Sequence, residues 1–157
     1  MITTYNTIAQ IPKIGKIISN DPAISSLLNI NDQLEVLGEG FEWSEGPVWV
    51  KNGNYLLFSD VPTNIIYKWK EGEKITEFLK PSGYTGIMPY SNEPGSNGLT
   101  ISNDGKHLIA CEHGDRRITK MPLAGKGGKF TLADKWDGKR FNSPNDVVEA
   151  KSGDIYF

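Results

Sequence analysis

Glu45, Asn97 and Asn145 are oxygen-bearing side chains that each stand directly before a run of strand-forming residues, in FEWSEGPVW, GSNGLT and SPNDVV. A hard divalent cation is held by several oxygen ligands at about 2.0 to 2.6 Å, and a carboxylate joined by amide oxygens supplies that chemistry. Taken singly, Glu45 reads as an exposed turn residue and each Asn as a turn former that bonds its own backbone. Recurrence in front of successive strands shifts the reading to a common point where loops of adjacent repeats converge. Nucleophilic serine chemistry has no support: there is no G-x-S-x-G elbow, and neither Ser44 nor Ser143 sits in a triad pattern.

The elements that must position these residues are short strands. Pro47 to Val50, Tyr55 to Ser59, Ile65 to Lys70 and Lys74 to Leu79 are separated by Asn-Gly-Asn, Pro-Thr-Asn and Glu-Gly-Glu turns, which predicts a four-stranded meander. A second set follows as Gly98 to Ser102, His107 to Cys111, Arg117 to Met121 and Lys129 to Ala133. A third begins with Asp146 to Glu149 and Asp154 to Phe157. Aligning SEGPVWVKNGNYLLFSD, SNGLTISNDGKHLIACE and PNDVVEAKSGDIYF gives a period of roughly 50 residues, within the range of β-propeller blades. The expected fold is all-β, with a small β-sandwich as the alternative. Residues 1 to 35 read as an arm with one short helix, drawn from the weakly periodic IGKII and Ser25 to Ile30 stretches, neither with a good cap. Residues 36 to 157 read as the N-terminal part of a propeller, truncated in its third blade.

Composition narrows the partners. With 17 basic and 19 acidic residues scattered along 157, and a formal charge of -2, there is no basic footprint for nucleic acid. Cys111 is the single cysteine, so an intrachain disulfide and a cysteine-rich zinc site are excluded and a buried thiol is expected. No run approaches the ~18 apolar residues of a membrane helix, and no secretory h-region opens the chain. The reading is therefore a cytoplasmic protein that binds no membrane, with a periplasmic location left open.

The runs EGPVW, LLFSDVPTNIIYKW, NGLTISNDGKHLIACEHGDRRI, GKRFNSPNDVV and SGDIYF together resemble the opening half of the gluconolactonase, regucalcin and luciferin-regenerating-enzyme family, over about residues 40 to 157. The resemblance implies a six-bladed propeller of which this chain supplies about two and a half blades. It also implies one divalent cation at the channel mouth, calcium first, with zinc, magnesium or manganese as alternatives. Glu45 matches the family's first metal ligand. Asn145 matches an Asn that faces substrate and the metal's water shell, giving it a substrate-binding role with metal contact, and Asn97 holds the related place one repeat earlier. Arg140 lies close to an Arg that binds substrate in some relatives, at a different local spacing. His113, in the CEHGDRR motif with Arg116 and Arg117, either hydrogen-bonds the sugar lactone or holds the turn between two outer strands. The family's Asn and Asp from later blades, the Asp being its general acid/base, have no counterpart here.

The function implied is metal-dependent hydrolysis of a sugar lactone to the hydroxy acid, a carboxylic-ester hydrolysis in which a cation polarises the carbonyl and a carboxylate assists water. Two alternatives stay open: a non-catalytic calcium-binding or scaffold propeller, and an inactive fragment that needs its missing blades. An array of two and a half blades leaves one blade face uncovered, so self-association through that face is expected.

Overall fold

The computed structural model describes residues 11–157, and these divide after Gly40 into two compact units. The ten residues before them belong to the expected arm and lie outside the described range. In the first unit, β1 (Lys13–Ile14) pairs antiparallel with β2 (Leu34–Glu35), and a 3-10 turn spans Pro22–Ser26. The arm differs from the expectation at both places. Asp21 is a good cap, its carboxylate accepting from Ala23 N–H at 2.7 Å with Pro22 preset for the first helical position. Ile14 of IGKII pairs with Leu34 as strand instead of joining a helix.

The second unit is built from blades. The first comprises β3 (Ser44–Val50), β4 (Tyr55–Asp60), β5 (Ile65–Trp69) and β6 (Thr76–Leu79), paired in sequence order. The second comprises β7 (Ser96–Ile101), β8 (His107–Glu112), β9 (Arg117–Pro122) and β10 (Phe130–Ala133), again a meander. Then comes a hairpin that the sequence reading missed, β11 (Lys135–Trp136) with β12 (Lys139–Arg140). It turns through Asp137-Gly138, both at positive φ as a primed two-residue turn requires. The opening hairpin of the third set is β13 (Val148–Glu149) with β14 (Ile155–Tyr156).

Alternation within the strands builds two cores. Leu108 and Ala110 of β8 face the first blade and pack with Val50, Leu57, Ile66 and Leu99. Ile109 and Cys111, one residue out of phase, face the third and pack with Ile118 and Val147. Successive side chains on a strand point to opposite faces, so a central strand buried on both sides reads as the unbroken apolar run LIAC.

Both inner strands begin earlier than the turn residues suggested, at Ser44 and Ser96, because each carries a β-bulge. In β3 the register slips between Glu45, opposite Ser59, and Val48, opposite Leu57. In β7 it slips one repeat position earlier, between Ser96, opposite Glu112, and Leu99, opposite Ala110. An extra residue in one strand bends it and re-aims a side chain. Pro47, which has no N–H for a ladder, is tolerated because it falls in the bulge.

Candidate active site

The twin bulges place Glu45 and Asn97 at matching points on neighbouring inner strands. Gly46 and Gly98 follow them, and both positions demand glycine. A Cβ on Gly46 would collide with the Asn97 carbonyl, and one on Gly98 with the Asn145 carbonyl and Asp146. The backbones at the strand starts therefore step into contact from one blade to the next. Gly98 N–H donates to the Asn145 carbonyl at 2.7 Å, carrying the chain of contacts into the third repeat.

Side chains complete the arrangement. Asn97, only 6 % exposed, donates from Nδ2 to Asn145 Oδ1 at 2.8 Å. Its backbone carbonyl accepts from the buried Ser59 hydroxyl at 2.8 Å, and Ser59 Oγ also lies 2.8 Å from Ser96 Oγ. Trp43 Nε1 donates to Glu45 Oε1 at 3.1 Å, which orients that carboxylate and leaves Oε2 for a ligand. A polar cavity of about 280 Å³ opens among Glu45, Asn97, Asn145 and Asp146, with Pro47 and Leu99 on its wall. The three residues singled out by their recurrence are thus brought together.

Asp146 is the cavity residue that sequence reasoning passed over, because its neighbour Asn145 already filled the recurring position. Its Oδ1 accepts from Val147 N–H at 2.8 Å, and Oδ2 is left over. Its charge is felt below the cavity: burial, and secondarily Asp146, push the Cys111 thiol up to about 12. Cys111 is therefore a protonated, buried core thiol, as expected.

The cavity donors suit a hard cation. Glu45 offers a carboxylate oxygen, Asn145 an amide oxygen with one lone pair beyond the Asn97 bond, and Asp146 a second carboxylate. All are oxygens, the donor type of calcium, magnesium and manganese sites. They form a partial set, and among the described residues no three His, Cys, Asp or Glu side chains cluster as ligands.

The CEHGDRR motif is divided between two tasks. Glu112 is fully buried and holds three partners: Arg117 Nε at 2.6 Å, Lys129 Nζ at 2.6 Å and the Thr119 hydroxyl at 3.0 Å. Arg117 also pairs with Asp115 at 3.2 Å, so its guanidinium joins the end of β8 to the turn that follows it. His113 lies in the turn between β8 and β9, with Nδ1 3.1 Å from the Glu93 carbonyl and 3.4 Å from its carboxylate. It lines a second cavity with Arg116, apart from the first. Arg140 is exposed and donates from Nη2 to the Asp115 carbonyl at 2.7 Å, in neither cavity's wall.

Comparisons with known proteins give this geometry its relatives. The family model described as SMP-30/Gluconolactonase/LRE-like region matches residues 43–157. The chain is 45% identical over 146 residues to a gluconolactonase of Zymomonas mobilis, covering 92% of this chain and 40% of that protein. It superposes on the solved structure of a Xanthomonas campestris gluconolactonase with TM-score 0.71 at 28% identity, over 93% of this chain and 42% of that one. A Staphylococcus aureus virginiamycin B lyase shares the fold, with TM-score 0.56 at 19% identity over 82% of this chain and 39% of that one. The chain thus spans about two fifths of the length of the relatives it matches.

Proposed function

Because the chain belongs to the SMP-30/gluconolactonase/LRE-like family, we propose that the protein it forms part of hydrolyses a sugar lactone at the cavity headed by Glu45. In that reaction the oxygen of water bonds to the acyl carbon, the acyl bond to the ring oxygen breaks, and the ring oxygen takes a proton to give the hydroxy acid. The observation that carries the reading is the Asn97–Asn145 bond of 2.8 Å beside Glu45 at the converging strand starts. It joins the two repeats at the cavity that the Glu45 carboxylate heads.

Each residue has a task in this scheme. Glu45 Oε2 and Asn145 Oδ1 are the atoms that would hold a divalent cation, with Asp146 Oδ2 as a further oxygen. Such a cation, when bound, polarises the lactone carbonyl and lowers the pKa of water. Asn97 keeps the Asn145 amide from rotating, so that the two N–H bonds of Asn145 Nδ2 stay available to a lactone oxygen. Trp43 holds Glu45 in one orientation. Fixed donors of this kind stabilise developing charge without reorganising during the reaction.

The test is lactone ring opening by the full-length protein, followed in a pH-stat with and without chelator. Glu45→Gln, which keeps the shape and removes the charge, should lower turnover by more than about tenfold and weaken cation binding. Wild-type turnover in chelator, or a Glu45→Gln protein with unchanged turnover and cation affinity, would rule the assignment out.

A further inference from the structure

The second cavity, about 390 Å³, opens beside the loop between β6 and β7 and is lined by Tyr90, Glu93, His113, Arg116 and Ser143. It sits at the same end of the blades as the first: Ser96 pairs with Glu112, so His113 lies just beyond the strand end from which Asn97 projects. Ser143 is two residues from Asn145, and Glu93 four from Asn97.

This cavity is built on fixed supports. Asn64 holds the base of the loop, accepting from Ser82 and Gly83 N–H at 3.0 and 2.8 Å and donating to the Tyr84 carbonyl at 2.8 Å. Thr85 bonds Asp115 through its hydroxyl at 2.6 Å, and Tyr84 N–H donates to the Pro94 carbonyl at 2.6 Å. Tyr84 in turn stacks on Tyr90, centroids 4.7 Å apart. The Tyr90 hydroxyl receives Arg116 Nε at 3.1 Å, which fixes the guanidinium and leaves its Nη groups to the cavity. Arg116 and Ser143 both hold positive φ without being glycine, at 58° and 53°. Strain of that kind persists only where surrounding structure enforces it, and it gathers at ligand sites.

The chemistry of the lining selects the ligand. Arg116 donates, Glu93 accepts, and the Tyr90 and Ser143 hydroxyls do either, beside an aromatic ring. A cation and a carboxylate in one small cavity suit a neutral polyhydroxyl group better than a phosphate or carboxylate, which Glu93 would repel. We infer that this cavity is a subsite for a second sugar unit, so that the preferred substrate is an aldonolactone carrying a glycosyl substituent. The inference rests on the lactone-hydrolase reading, whose cavity would take the reacting ring.

The experiment compares glucono-1,5-lactone with its 4-O-glucosyl derivative as substrates of the full-length protein. The glucosylated lactone should show a KM about tenfold lower. Tyr90→Ala, and separately Arg116→Asn, which tolerates positive φ, should remove that advantage and leave glucono-1,5-lactone unchanged. Equal kcat/KM for the two substrates in the wild type overturns the subsite, as does an equal loss on both in the variants. A preference for a 6-phosphorylated lactone that Arg116→Asn abolishes also overturns it, by making the cavity an anion site. If neither lactone is opened, the hydrolase reading fails. The subsite is then judged by calorimetric titration with cellobiose: binding lost in Tyr90→Ala upholds it, and no binding to the wild type refutes it.

Discussion

Glu112 shows how much a single side chain can organise. It is fully buried, and each carboxylate oxygen is claimed by a cation, Arg117 on one and Lys129 on the other, with Thr119 sharing the second. Removing one partner from such a buried group leaves uncompensated charge behind. Glu112→Ala should therefore destabilise the protein by about 3 kcal/mol, read as a drop in the urea midpoint with unchanged slope. Glu112→Gln should recover part of that loss through its hydrogen bonds. Little of this was legible in the sequence, where a Glu at a strand end passes for a surface residue. The partners come from β9 and from Lys129 just before β10, which only the folded sheet brings alongside. Asn97 and Asn145 were legible for the opposite reason: the repeat marks them wherever their contacts lead. Asp146 was hidden beside the residue that carried the repeat signal.

At the scale of elements, turns at the far end of the blades keep the strands in register. Between β7 and β8 the Asp104 carboxylate accepts from the Ser102 hydroxyl at 2.6 Å and from Lys106 N–H at 2.9 Å. These bonds, the Ser102 one foremost, with lesser help from His107, hold the carboxyl well below the usual carboxylate range. A folded-state pKa below the unfolded one stabilises the fold above the unfolded value and loses that contribution as pH falls through the folded value. The melting-temperature gap between wild type and Asp104→Asn should be full above about pH 4 and close on further acidification. A gap that widened in acid would contradict this account. The strands themselves were legible because alternation and Gly, Asn and Pro turns mark both meanders. The Lys135–Arg140 hairpin was missed because its only signal is Asp137-Gly138, with too few apolar residues around it to register as strand. The bulges were invisible, since nothing in SEGPVW or SNGLTI announces an extra residue until the pairing is seen.

Across the second unit as a whole, the blades stack through shared apolar faces, and the third set shows one that is open. Val148 is 55% exposed and Tyr156, opposite it across the hairpin, 62%. Apolar surface of this extent marks an interaction site or an aggregation liability. The 157-residue chain expressed alone should elute in size-exclusion chromatography above its monomer mass of 17.4 kDa. Tyr156→Lys should move it toward that mass, and a monodisperse wild-type monomer would show that the face needs no cover.

Leu108 and Ala110 serve one core while Ile109 and Cys111 serve the other, which makes β8 a wall common to two rooms. Substitutions along it have local consequences: trimming Leu108 opens space on one side, trimming Ile109 on the other. Changes of length do not. A single codon inserted or deleted within β8 would exchange all the side chains on one side of it between the two rooms at once. Natural variation in this strand should accordingly stay apolar from Leu108 to Cys111 and be strict in length, and indels should be confined to the turns at its ends.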